Sequence, residues 1–184
     1  DQTHSSYYGF NAFNYLATDG TVKNLSGEAV SYGFNCGLFD GTMICPADSF
    51  EEVGVEKLIH VGYGSDYYYI DANRHLAKYS SSTKEVLSTE QYVDLVNVDD
   101  TICAIKDTGK VVCLGENSRQ GKLFGAAAQT QQNTNALIEI EEINNAVAFA
   151  NSFESYPDYL CVLTTNKDIL CWGDDLWGTA TVSE

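Results

Sequence analysis

Positive charge is scarce in this chain. Ten Lys and Arg stand against 26 Asp and Glu, for a net charge of −16. A field of that sign repels phosphate backbones and anionic headgroups, so nucleic acid is not an expected partner. Long apolar runs are missing too, and no stretch reaches the roughly 18 to 20 residues a membrane helix needs, so membrane insertion is not expected. Only three histidines occur, His4, His60 and His75, and they show neither H-E-x-x-H nor any other close ligand spacing. His60 falls in an expected strand and His75 beside a turn, where ordinary hydrogen bonding is the expected role. No nucleophile elbow, phosphate loop or dinucleotide fingerprint is present. Asp1-Gln2-Thr3-His4-Ser5-Ser6 has neither a basic start nor an apolar run, so a secreted chain is expected to begin here after cleavage of its leader.

What the chain does hold is apolar and aromatic material enough for a core. Hydrophobic residues make up 44% and charged residues 20%, a globular composition, and 184 residues suit a single domain. Twelve Tyr and eight Phe against one Met favour a sheet protein with flat aromatic surfaces. The acidic surface suits solubility, divalent cations, high salt or a basic partner.

Six cysteines, Cys36, Cys45, Cys103, Cys113, Cys161 and Cys171, form three close pairs, each bracketing a turn. Folding about Asp40-Gly41, the dipeptide a two-residue type I′ turn requires, sets Cys36 opposite Cys45. Asp107-Thr108-Gly109 makes a three-residue loop with Gly in the left-handed position and sets Cys103 opposite Cys113. The third pair repeats that length around Asn166 without the Gly. Directly opposed residues in a non-hydrogen-bonded antiparallel pair lie within disulfide reach, so hairpin geometry selects 36–45, 103–113 and 161–171 from the 15 connectivities that six cysteines allow. The spacing does not fit zinc, and paired thiols supply no nucleophile. Stable disulfides imply an oxidising, extracellular compartment.

The same register lies over two segments without cysteine. Asn14 to Asn24 has the length of the 103–113 unit with Gly20 in the turn, and Tyr68 to Lys78 fits more loosely. Two positions inside each bracketing pair stay apolar throughout: Leu16 with Val22, Leu38 with Met43, Ile70 with Leu76, Ile105 with Val111, and Leu163 with Ile169. A further strand is expected before each hairpin, at Tyr7–Phe13, Val30–Asn35, Leu58–Gly64, Tyr92–Val98 and Ala146–Asn151. Five three-stranded units result, approximately 7–24, 30–45, 59–79, 93–117 and 146–175, within one repeat domain spanning 1–184. Segments 80–91 and 121–145 are expected as exposed loop insertions. Apolar residues on both faces suit sheets stacked on sheets, so the fold class is all-β: disulfide-stapled hairpins in a small or incomplete β-propeller-like array.

Cys103-Ala104-Ile105-Lys106-Asp107-Thr108-Gly109-Lys110-Val111-Val112-Cys113-Leu114-Gly115-Glu116-Asn117, and Cys161 through Cys171-Trp172-Gly173-Asp174-Asp175, resemble repeats of the regulator of chromosome condensation propeller superfamily, especially its disulfide-bearing secreted versions. The family's G-Q-L-G element is represented only by the displaced Gly121-Lys122-Leu123 and by Trp177-Gly178-Thr179. The resemblance implies a propeller of which five abbreviated units form reduced blades, an open array or one part of a multi-chain structure. It also implies a binding function, since members act through loops peculiar to each protein, but none of those loops recurs here. A chromatin role conflicts with the acidity and the cysteines.

The resulting expectation is an extracellular structural or self-assembling protein, a homo-oligomer or polymer joined by the ends of its array. Tyr7, Tyr8, Phe10, Trp172, Trp177 and Val182 are the candidate interface residues. The Thr179–Glu184 run is suited to pair with the Tyr7–Phe10 region, within one chain or between chains. The alternative is a secreted module that binds a protein or glycan ligand. Acidic clusters at Glu51-Glu52, Asp99-Asp100, Glu139 with Glu141-Glu142, and Asp174-Asp175 invite a glycan-active enzyme reading, but solvated loops explain them at less cost, and no catalytic residue is assigned. No cofactor is expected. Calcium at loop carboxylates is a candidate without an assigned ligand set, because the EF-hand pattern is absent. Asn24-Leu25-Ser26 makes Asn24 the candidate glycosylation site.

Overall fold

The computed structural model describes residues 14–16, 22–24, 36–45, 48–61, 66–98, 100–116, 133–150 and 159–173. These form sixteen strands in five antiparallel sheets. Sheet 1 is β1 (Asn14–Leu16) and β2 (Val22–Asn24). Sheet 2 is β3 (Gly37–Phe39), β4 (Thr42–Cys45) and β5 (Phe50–Val53). Sheet 3 orders β6 (Lys57–Val61), β7 (Asp66–Ile70), β8 (Leu76–Ser80) and β9 (Thr83–Ser88). Sheet 4 orders β10 (Tyr92–Val98), β11 (Thr101–Lys106), β12 (Val111–Glu116) and β13 (Asn133–Ile140). Sheet 5 is β14 (Ala146–Phe149), β15 (Tyr159–Thr164) and β16 (Ile169–Gly173).

Each sheet is built around one of the five hairpins, and the five apolar pairs are directly opposed as the sequence pattern predicts. The bracketing positions also align where cysteine is absent: Asn14 faces Asn24, and Tyr68 faces Lys78. Asp40 and Gly41 both take positive φ, 46° and 71°, as a type I′ turn demands. At the left-handed position of the longer loops stand Gly109 (φ 83°), Arg74 (φ 63°) and Lys167 (φ 70°). The third cysteine loop therefore adopts the geometry of the second without its glycine.

The loop expectation for 80–91 and 121–145 requires correction. Thr83–Ser88 and Asn133–Ile140 are the outer strands of sheets 3 and 4, and Phe50–Val53 fills the same place in sheet 2. A complete repeat is thus four-stranded: inner strand, hairpin, outer strand. The outer strands escaped the pattern because they are half-solvated and polar. β9, Thr-Lys-Glu-Val-Leu-Ser, exposes its first four residues, so no apolar alternation marks it.

Sheets 2 to 5 follow one another face to face, with inner strands β6, β10 and β14 side by side, the radial arrangement of a propeller-like array. Three apolar layers fill the gaps. Met43 and Cys45 meet Tyr67, Tyr69 and Tyr79 between sheets 2 and 3. Ile70 and Leu76 meet Leu95, Ile102 and Ala104 between sheets 3 and 4. Ile105, Val111 and Cys113 meet Leu160 and Val162 between sheets 4 and 5. Every layer joins the face that carries the bracketing pair, here called forward, to the reverse face of the next sheet. Alternation along each strand makes both faces apolar, which is why one sheet alone could not fold.

A backbone bond repeats at each junction. Val55 donates its N–H to Gly41 O at 2.8 Å, Tyr92 to Arg74 O at 2.8 Å, and Ala146 to Gly109 O at 2.9 Å. The carbonyl of the left-handed residue closing each hairpin thus fixes the chain as it enters the next sheet. Gly109 is tightly fitted there, since a Cβ on it would lie 2.9 Å from Asn144 O and 3.0 Å from Asn145 Cα.

Candidate functional site

The three disulfides join Cys36–Cys45, Cys103–Cys113 and Cys161–Cys171, with Cα separations of 4.1, 4.1 and 4.0 Å, and no described cysteine is free. The first two are buried within the layers that follow their sheets. The third lies on the forward face of sheet 5, with Cys161 buried and Cys171 half-exposed.

That face departs from its counterparts. The apolar pair of sheet 4, Ile105 and Val111, and that of sheet 3, Ile70 and Leu76, are fully buried, as is Met43 in sheet 2. Leu163 and Ile169, at the same positions in sheet 5, are each 36% exposed. Leaving a third of an aliphatic side chain in water forfeits on the order of 1 kcal/mol relative to full burial. Tyr159, on the same face, is 45% exposed. Pairing of Tyr159 with Gly173, Cys161 with Cys171 and Leu163 with Ile169 makes the hairpin's forward face apolar and uncharged, on a chain of net charge −16. The turn above it follows suit. Lys167 occupies the position of Gly41, Arg74 and Gly109, yet among the described residues its carbonyl accepts no bond from a following sheet.

Of the candidate interface residues, Trp172 lies opposite Leu160 on the reverse face of sheet 5 and packs half-buried against the layer shared with sheet 4. Its ring belongs to the interior of the array. Tyr7, Tyr8, Phe10, Trp177 and Val182 lie outside the described residues, as does the Asn24-Leu25-Ser26 sequon beyond Asn24, which ends β2 opposite Asn14. The residues that pattern reading missed are Leu163 and Ile169 as a surface. In sequence they are indistinguishable from their buried counterparts, and only their place in the last described sheet sets them apart.

Several charged groups elsewhere make pairs. Glu52 binds Lys84 at 2.5 Å, and Glu139 binds both Lys110 at 2.5 Å and Lys106 at 3.1 Å. The two lysines, as hydrogen-bond donors to Glu139, hold its carboxyl below the usual carboxylate range. His75 faces Asp71 at 3.6 Å, and the His60 ring lies tilted against Tyr67 with centroids 4.8 Å apart. Burial pushes the Tyr79 phenol up to about 12, helped by the Asp48 carboxylate that its hydroxyl donates to at 2.9 Å. Among the described residues no group of three or more His, Cys, Asp or Glu converges as metal ligands would, and no helix is long and apolar enough to cross a membrane.

Neither a protein-family model nor a curated protein matches the sequence. Similar solved structures exist at 11% identity. One is the N-terminal domain of Nup159, with a TM-score of 0.47 over 94% of this chain and 40% of that one. Another is the computationally designed Ika8 protein, with a TM-score of 0.51 over 95% of this chain and 58% of that one. The chain therefore spans less than two thirds of the length of either. What is established is a class: an all-β, propeller-like array of disulfide-stapled hairpin sheets, a construction that fits an extracellular protein.

Proposed function

We propose that this chain is an extracellular structural protein that self-assembles through the ends of its sheet array. The observation that carries the reading is the exposure of Leu163 and Ile169, an apolar pair fully buried at the same positions in sheets 3 and 4. A repeat sheet gains its stability by covering both faces, and a solvated end face is covered by capping, closure or association. Lasting disulfides support a location outside the reducing cytosol, and the likeness to disulfide-bearing repeats of the regulator of chromosome condensation superfamily supports a binding role over a catalytic one.

Sedimentation of the protein in non-denaturing buffer, across concentration and salt, tests this. Large, regular particles are the expected result. A clean 20.2 kDa species at high concentration in native ionic conditions overturns it and favours an independent ligand-binding module.

A further inference from the structure

We infer that the Thr134 hydroxyl locks the outer edge of sheet 4 against pairing with the same edge of a second copy. β5, β9 and β13 each end the strand order of their sheet among the described residues. Such an edge offers unpaired N–H and C=O groups to any extended chain, and shortness, charge or a bulge keeps it single. β5 is four residues long and carries Glu51 and Glu52. β9 carries Lys84 and Glu85, and its register with β8 breaks at Leu87, between the pairs Leu76–Ser88 and Ala77–Val86.

β13 is guarded differently. At eight residues it is the longest of the three, and Asn133 to Ile138 carries no charge. Its one acid, Glu139, is already held by Lys106 and Lys110. What remains is a bulge. Gly115 faces Thr134 and Cys113 faces Ile138, so Asn135, Ala136 and Leu137 all stand opposite Leu114. Leu137 packs on the layer between sheets 3 and 4, while Asn135 and Ala136 are exposed. Thr134 Oγ1 accepts the Ala136 N–H at 2.9 Å and donates to the Ala136 carbonyl at 3.2 Å. One hydroxyl thus occupies both backbone groups at the crown of the bulge, and neither is left to a strand added at the edge. Without that hydroxyl a second register competes. Continuing the pairing of Cys113 with Ile138 by two residues sets Gly115 opposite Ala136, and a slip of two keeps every side chain on its own face.

The occupant that the lock excludes is a second copy. A chain of net charge −16 repels its own kind over most of its surface, and two β5 edges would set Glu51 and Glu52 against each other. A straightened Asn133–Ile138 brings no charge to the contact. Two such strands run antiparallel offer each other one identical surface, so the contact is two-fold and closes at a pair. It lies on the outer edge of sheet 4, and it does not rest on the assembly reading above.

The test compares the full chain carrying Thr134→Val, which keeps the side-chain shape without the hydroxyl, with Thr134→Ser and with wild type. Sedimentation reads mass, and amide hydrogen exchange reads the protection of residues 134–138. Thr134→Val is expected to sediment at about twice the wild-type mass, with β13 amides that gain protection as concentration rises. Thr134→Ser is expected to behave as wild type in both. Thr134→Val combined with Ala136→Lys returns a charge to the edge and should restore the wild-type mass. The inference is overturned by Thr134→Val that matches wild type, by Thr134→Ser that pairs as Thr134→Val does, or by pairing that survives Ala136→Lys. Loss of the native circular dichroism in Thr134→Val also overturns it, because the hydroxyl would then hold the fold rather than the edge. Assembly through the ends of the array leaves β13 exchange in wild type independent of concentration. Wild-type β13 amides that gain protection with concentration therefore overturn the lock, whatever the wild-type particle size says of the assembly reading.

Discussion

Lys57 on β6 and Asp94 on β10 hold the same register position in successive inner strands, opposite Ile70 and Ile105, and are joined by an ion pair. Asp94 also reaches forward, its Oδ2 accepting the Phe149 N–H on β14 at 2.7 Å, while its Oδ1 accepts the Leu95 N–H at 2.9 Å. One buried carboxylate thus ties sheets 3, 4 and 5 together near their inner strands. Asp94→Ala leaves the Phe149 N–H without this acceptor and is expected to cost about 2–4 kcal/mol. Asp94→Asn keeps an acceptor but loses the charge, at about 1–2 kcal/mol, since Lys57 is half-exposed and its pairing is screened. Urea midpoints of the two variants check the order, and equal losses would show that the charge carries the effect.

The disulfides differ in what surrounds them. Replacing Cys103 and Cys113 with Ala removes a short loop constraint and packing from the layer shared with sheet 5, and is expected to cost about 2–4 kcal/mol. Replacing Cys161 and Cys171 removes the same constraint from a face already half open, so in monomeric protein the loss should be smaller. Denaturant midpoints decide it, and an unchanged midpoint for the first pair would make the staple incidental.

Gly109 and Lys167 share one backbone geometry with opposite chemistry. Gly109→Ala places a Cβ at positive φ against the Asn144 and Asn145 backbone and should lose about 1–3 kcal/mol. Lys167→Gly relieves a strained side chain at φ 70° and should be neutral or stabilise by up to about 1 kcal/mol. Thermal melts of both variants against wild type test the asymmetry, which a destabilising Lys167→Gly would contradict.

The hairpins were legible because cysteine, turn glycine and apolar pairs mark the same register independently, and even Asn14–Asn24 and Tyr68–Lys78 align. The outer strands were not. Phe50–Val53 and Thr83–Ser88 carry Glu51, Glu52, Lys84 and Glu85, charges that suit a solvated edge but read as loop. Asn133–Ile140 follows a long polar stretch whose composition masks the strand. Asp94 was invisible for a different reason. A buried acid is recognised by the donors that reach it, and Lys57 and Phe149 lie 37 and 55 residues away. The candidate surface was readable as apolar but not as exposed, because burial depends on what stacks next.

In sheet 3 an ionic cluster replaces the staple. Lys78 binds Asp66 at 2.6 Å, and its Nζ lies 5.4 Å from the Tyr68 ring centroid. Burial raises the Asp66 pKa, but hydrogen bonds from Lys78 and Ser80 outweigh it and hold the carboxyl below 3.8. Burial lowers the Lys78 pKa, yet the bond to Asp66 and the charge of its surroundings hold it above 10.5. The depressed acid contributes stability above its unfolded value that is lost as pH falls through its folded one. The raised lysine contributes below its unfolded value, and this is lost as pH rises through its folded one. The cluster is therefore constant between about pH 5 and 10. Partial exposure limits its worth to under about 1 kcal/mol. The stability gap between wild type and Lys78→Met, from urea titrations, should be flat across that window and narrow below about pH 3; a gap that widens in acid would refute the assignment.

Tyr68 and Lys78 occupy the bracketing position that carries a disulfide in sheets 2, 4 and 5. If register alone places cysteines within bonding reach, Tyr68→Cys with Lys78→Cys should close a fourth disulfide during oxidative refolding, leaving no free thiol. The new ring matches that of Cys103–Cys113 in length, so loop closure offers about 2–3 kcal/mol. Against this stands the Tyr68 ring, buried in the layer between sheets 3 and 4, whose truncation costs about 3 kcal/mol or more. The bond should therefore form without a large net gain in stability. Thiol titration separates the two statements. Two free thiols in a folded protein would show that the aligned register of sheet 3 does not bring positions 68 and 78 as close as its sister sheets do, whereas complete closure with an unchanged or lowered denaturant midpoint is the expected result.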